Sequence, residues 1–242
     1  MHLNAKITSF TILTIGILFC TVIVTNSWKG INNSHQTIAA VGSAKTLIHS
    51  NLAILKGSIV LTVSNPKDAY VQLTPQLEMV LSFLEKKGVK RKEIELFPAT
   101  QFSNYEFSQE GYQTGKIVSY TVSQGFKLTT QNVNLVKDLS LQITELLSEG
   151  VLLQMERPEY IYTKLADIKI NIQSLAATDA QLRAETMVKA TGQQLGAMRS
   201  AKMGVIQITP PNSTTVTDYG MNDVSSIEKE ITAVVHASFE ID

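Results

Sequence analysis

The side chains that most often do chemistry are few here and badly placed to do it together. There are four histidines, His2, His35, His49 and His236, and none stands three or four residues from another. Cys20, the only cysteine, lies inside an apolar run. Neither set can supply the clustered nitrogen and sulfur donors of a transition-metal site within one chain, so no metal and no cofactor is expected. The chain has no G-x-S-x-G or H-E-x-x-H pattern, and Gly111 to Lys116 is one residue short of a phosphate loop. Glu156, Arg157 and Glu159 gather around Pro158, either as a solvated break in a strand or as an acid/base pair. His236 falls on the polar face of an alternating segment. It is either a surface histidine or a subunit or pore contact whose charge changes near pH ~6.5. Met155, Met187, Met198 and Met203 fall on apolar faces and are expected in the core. The expectation is a protein that is not an enzyme.

Charge gives no partner. Lys plus Arg equals Asp plus Glu at 21 each, so nothing favours nucleic acid. The one dense basic cluster, Lys86, Lys87, Lys90, Arg91 and Lys92, surrounds Gly88 at the end of a helical pattern. Basic residues there complement the helix dipole and glycine supplies the left-handed cap; the alternative is a phosphate or lipid-headgroup site.

The first residues speak to location. Ile7 to Val24 is uncharged and contains Ile7, Ile12, Leu13, Ile15, Ile17, Leu18, Val22 and Val24. As a helix it would extend about 27 Å, enough to cross a bilayer's hydrocarbon core. Lys6 makes the leading end positive, and Trp28 stands where an interfacial anchor would lie. The expected arrangement is a signal-anchor over 1–26, a linker over 27–36 and a domain over 37–242 on the periplasmic or extracellular side. The lipid bilayer is then a partner through the N-terminal helix. A cleaved signal peptide stays open, although no A-x-A precedes a cut. A lipoprotein signal at Cys20 would require a small residue where Phe19 stands. With no cysteine beyond residue 20, the exported part has no disulfide within the chain.

Most of the rest alternates. Ala53 to Val63, Val118 to Leu128 and Ile231 to Ile241 carry apolar residues at every second position, the pattern of antiparallel strands with one dry face. The strands expected are 37–49 and 51–64, joined by a tight turn at Ser50; 93–108 and 115–130, joined through Gly111 and Gly115; and 196–209 and 227–241, joined by a long loop. A further strand falls between the second and third helices. Helical spacing marks three stripes. The first is Ala69, Leu73, Leu77, Val80, Leu81 and Leu84, capped by Asn65 and Pro66 and kinked or truly begun at Pro75. The second is Val136, Leu139, Ile143, Leu146 and Leu147. The third runs over 165–191, with Ala176, Ala180, Ala184 and Met187 on one side. The order ββαββαβαββ predicts an α+β fold, a twisted antiparallel sheet of long strands with helices on one face. The two strand-strand-helix units look like a loose repeat.

Ala176, Asp179, Ala180, Arg183, Ala184 and Glu185 read A-x-x-D-A-x-x-R-A-E, followed by Gly192, Leu195 and Gly196 as G-x-x-L-G. With Gly42, Gly88, the pair Gly111-Tyr112 and the closing strand, this pattern resembles the SIMPL family of bacterial exported proteins, which includes periplasmic immunogens and proteins named for oxidative-stress defence. The stretch from Arg199 to Asn212 with Ile227 to Glu230 is similar to a membrane-anchored branch. Many members carry Pro-Asp where this chain has Ser50-Asn51. The resemblance implies ring-like, channel-like homo-oligomers and a loosely defined role in envelope stress tolerance or signalling, with no catalytic residue to assign. The residues also leave open a monomeric extracytoplasmic binding module for a small ligand, peptide or glycan.

Overall fold

The computed structural model describes residue 14, residues 16–25 and residues 36–241. Among the described residues, alternation builds ten strands in two antiparallel sheets rather than the single sheet expected. In the first sheet, β1 (Thr37–His49) pairs along its whole length with β10 (Glu228–Ile241), and β10 pairs on its other side with β8 (Leu195–Met203) and β9 (Gln207–Thr209). In the second, β5 (Gln113–Thr130) takes β3 (Ile94–Leu96) and β4 (Thr100–Phe107) on one edge and β2 (Leu52–Val63) on the other. The far edge of β2 takes β6 (Leu153–Met155) and β7 (Glu159–Ile161).

The expected hairpin at Ser50 does not form. The Ser50 amide donates to the carbonyl of Ile227 at 2.9 Å and the Asn51 amide to that of Ile161 at 3.0 Å. Two consecutive donors are taken by segments leading into different sheets, so the chain crosses between sheets instead of folding back. The Asn51 side chain clamps this crossing, accepting from the Thr163 amide and donating to its hydroxyl, both at 2.9 Å. This crossing also dissolves the expected repeat, because β1 leaves the first strand-strand-helix unit. Two long segments break, each for its own reason. Pro98 has no amide and separates β3 from β4. Between β8 and β9 the chain takes one extra residue against β10: Met203 faces Val235 and Gln207 faces Thr232, while the Gly204 amide still donates to Val234 at 2.8 Å.

Helix α1 (Pro66–Lys86) begins as expected, with the Asn65 side chain accepting from the Lys67 amide at 3.1 Å, and it runs through Pro75 rather than starting there. All six residues of its predicted stripe are buried. The second pattern divides into α2 (Val133–Gln142) and α3 (Glu145–Ser148); Ile143 and Leu146 are buried, whereas Leu147 points to solvent. Helix α4 (Leu165–Ala190) buries Ile172, Ala176, Ala180, Ala184 and Val188. Its row advances by four residues at a time, which passes beside Met187 and leaves that residue exposed. Each sheet has its own core: α1 and α2 cover β2 and β5, and α4 covers β1 and β10. The fold is α+β.

Residues 16–25 are helical, with Ile17, Leu18, Val22 and Val24 exposed. Among the described residues no helix is long and apolar enough to cross a membrane. Ile7, Ile12, Leu13, Ile15 and Trp28 of the expected anchor, and residues 27–35 of the expected linker, lie outside the described residues.

Candidate functional site

Helix α4 lies close against β1. A Cβ built on Gly42 would fall 2.2 Å from the Ala176 carbonyl oxygen and 2.2 Å from the Ala180 amide nitrogen. A helix backbone can lie this close to a strand only where the strand residue has no side chain and the helix residues have small ones. Asp179 fixes the contact. Its Oδ2 accepts from the Ser43 amide and from Arg183 Nε, both at 2.8 Å. The Ser43 hydrogen bond holds the Asp179 carboxyl below its usual range; burial opposes this and Arg183 reinforces it. Glu185 pairs with Lys189 at 2.6 Å. Gly192 caps the helix at φ 77°, and Leu195 and Gly196 open β8 half-buried.

A second polar cluster joins the two sheets. The inward phase of β10, Ile231 to Phe239, reaches one step further to Lys229, which is 2% exposed. Its Nζ donates to the Tyr160 carbonyl of β7 at 2.8 Å and to the Asp223 carbonyl. The Tyr160 amide donates to Val224 at 2.7 Å, so the same segment is held twice. Burial pushes the Lys229 ammonium down, and the Asp223 charge offsets part of this. Burial also acts to raise Asp223. Hydrogen bonds from the Ser225 hydroxyl and amide, with the nearby Lys229, outweigh it and leave the carboxyl below its usual range. Sequence reasoning passed over Lys229, although the alternation of β10 already placed it on the dry face.

Two surfaces are left uncovered. Only Tyr120–Thr130 of β5 pairs with β2; the stretch before it pairs with β4 alone, making a two-stranded arm. Phe107 and Tyr112 on this arm are 66% and 72% exposed, and Phe102 at its base, opposite Thr121, is 65% exposed. In the other sheet β8 is an edge strand, exposed along both faces from Ala197 to Met203. Of the four methionines expected in the core, Met187, Met198 and Met203 are exposed and do not join it, while Met155 packs against it.

The remaining sequence candidates stay apart. His236 is exposed on β10, opposite Val41 and Lys202, and His49 Nδ1 stands 3.7 Å from Glu228; His2 and His35 lie outside the described residues. Among the described residues no three His, Cys, Asp or Glu side chains gather where a metal ion would fit. Glu159 pairs with Lys56 at 2.6 Å, and that hydrogen bond raises the Lys56 ammonium despite some desolvation. In the basic cluster Arg91 reaches Glu85 at 3.4 Å and Glu78 at 3.6 Å. The Lys87 ammonium lies 5.2 Å above the Phe83 ring, and Gly88 takes φ 95°.

A family model, SIMPL, described as a protein of unknown function (DUF541), matches residues 38–239. The chain belongs to the SIMPL family. No curated protein matches the sequence. The SIMPL match runs from the second residue of β1 to within two residues of the end of β10, and so takes in both sheets and all of α4. The geometry says what the SIMPL-type positions do here. Gly42, Ala176, Asp179, Ala180, Arg183 and Ala184 fasten α4 to β1. Gly111 at φ 83° donates to Ser108 in the turn of the arm, where Tyr112 stands out into solvent.

Proposed function

We propose that this SIMPL-family protein is a non-enzymatic cell-envelope component of the membrane-anchored branch, which self-associates into a ring-like, channel-like homo-oligomer on the periplasmic or extracellular side. The observation that carries this reading is the β4–β5 arm. An isolated two-stranded hairpin is marginal in water, and this one, with Phe107 and Tyr112 exposed on it and Phe102 exposed at its base, gains by burying them against another subunit. The uncovered edge of β8 offers unpaired backbone groups for such a contact. Anchoring fits the helical residues 16–25, where the Thr21 and Thr25 hydroxyls donate to the helix carbonyls of Ile17 and Thr21, as an apolar solvent demands. A role in envelope stress tolerance or signalling follows the family resemblance.

The test is the mass of the detergent-extracted full chain by light scattering, beside a Phe102→Ser, Phe107→Ser, Tyr112→Ser variant. A large, uniform particle that shrinks in the variant, with far-UV circular dichroism unchanged, is expected. A monomeric wild type sinks the proposal. A second reading, a monomeric binding module, is favoured by one feature, a cleft of about 530 Å³ between α4 and the loop around Gly220.

A further inference from the structure

We infer that this cleft binds a small amphiphile with a single anionic head and a short apolar body. The inference rests on the binding-module reading and does not depend on self-association. One wall is apolar: Leu165 of α4 with Val205, Ile206 and Ile208 from the junction of β8 and β9. The other wall is the turn 219–222. Backbone bonds hold it in place: Ile208 donates to the Met221 carbonyl at 2.8 Å and Asp223 donates to the Ile208 carbonyl at 2.9 Å. Gly220 makes the close approach possible. It takes φ 84°, and a Cβ there would lie 2.6 Å from Val205 Cγ1. The cleft is therefore built before any ligand arrives, and its volume falls within the roughly 300–1,000 Å³ of small-molecule sites.

The polar groups select the head. Lys169 and Gln173, one turn apart on α4, both face the cleft and are half-buried. No carboxylate lines it, and Lys169 makes no ion pair or hydrogen bond among the described residues. An ammonium partly removed from water without a counter-charge attracts a carboxylate, phosphate or sulfate. Gln173 adds an amide donor beside it. The apolar wall takes the body out of water. A cationic ligand would meet Lys169 as a like charge.

The test is calorimetric titration of the full chain in phosphatidylcholine nanodiscs, with empty nanodiscs subtracted. The probes are octanoate, octylammonium and dioctanoyl phosphatidic acid. The expected result is binding of an anionic probe and not of octylammonium. Lys169→Gln should lower the affinity about tenfold or more. Met203→Trp, which fills the cleft from an exposed edge position, should abolish binding, and both variants should keep the wild-type unfolding temperature. Binding of octanoate identifies a soluble carboxylate as the source, and binding of phosphatidic acid alone a lipid headgroup. Unchanged binding in Lys169→Gln, or binding that survives Met203→Trp, overturns the inference. If octylammonium binds as well as octanoate and Met203→Trp abolishes both, the anionic specificity falls and the binding-module reading survives. If no probe binds, the inference falls, while the binding-module reading stands for a peptide or glycan.

Discussion

The Ser43 amide and the Asp179 carboxylate, 136 residues apart in the chain, meet at 2.8 Å beside the point where β1 touches the backbone of α4. Asp179 thereby satisfies an edge-strand donor that would otherwise face solvent, and its second partner, Arg183, stands one turn along the same helix. With Gly42 next to Ser43 and Ala176 and Ala180 flanking Asp179, the alanine-rich motif reads as a docking site for one helix on one strand.

Gly42→Ala tests that geometry. The added methyl would enter backbone atoms 2.2 Å away, which no rotamer change relieves. The helix must lift from the strand, at a cost of about 3 kcal/mol or more. Gly115→Ala, where a Cβ meets nothing within 4 Å, should change stability by less than about 0.5 kcal/mol. Urea unfolding of the two variants makes the comparison, and equal midpoints would refute the close-packing account.

Acid should expose Asp179. Its carboxyl lies below the usual 3.8 in the folded chain, so the unfolded chain takes up the proton first. The stability it contributes is complete above the unfolded value and is lost as pH falls through the lowered folded one. Asp179→Asn keeps an oxygen to accept from Ser43 but cannot titrate. The variant should therefore lose less stability than wild type between about pH 6 and pH 3, measured by urea midpoints. Parallel curves would mean that Asp179 carries no acid sensitivity.

The sequence showed the strands and helices well wherever one periodicity ran unbroken. The six-residue stripe of α1 and the alternation of β2 and β10 face where the sequence predicts, and so does β5 from Tyr120 onward; Val118, expected on the dry face, is exposed because β5 there runs beyond β2. What it could not show was which strand lies beside which. Periodicity tells a strand's faces but not its neighbours, so β1 and β2, adjacent in the chain, read as a hairpin although their partners are β10 and β5. The deciding contacts, Ser50 with Ile227 and Asn51 with Ile161, join positions far apart in the chain and leave no local pattern. Met187 was misplaced for a smaller reason, a row of i, i+4 positions read one residue off. The SIMPL motif was legible because it is local, on a single helix. The cleft was not, since its walls come from α4 and from a loop some fifty residues later.

The basic cluster after α1 should be dispensable for assembly. Arg91 is already paired with Glu78 and Glu85, while Lys90 and Lys92 project into solvent. Reversal of those two lysines to glutamate should leave stability within about 0.5 kcal/mol and the particle mass by light scattering unchanged. A smaller particle would make this patch a subunit contact instead of a solvated helix end.

Lys229 should show itself in alkali. Burial holds its ammonium below the usual 10.5, so over the interval between the lowered value and 10.5 the unfolded chain retains a proton that the folded chain has released. The unfolded state binds more protons there, so this residue makes stability rise with pH across that interval. Below it the folded chain keeps a buried charge, tolerated because Nζ donates to the Tyr160 and Asp223 carbonyls. Lys229→Met removes the charge and the titration together but leaves both carbonyls without that donor. It should destabilise the protein at neutral pH by about 1–3 kcal/mol and flatten the alkaline rise. Denaturant midpoints of wild type and variant at neutral and alkaline pH separate the two effects. A variant that is more stable at neutral pH would mean that the desolvated charge outweighs its hydrogen bonds, and that Lys229 weakens the junction between the sheets.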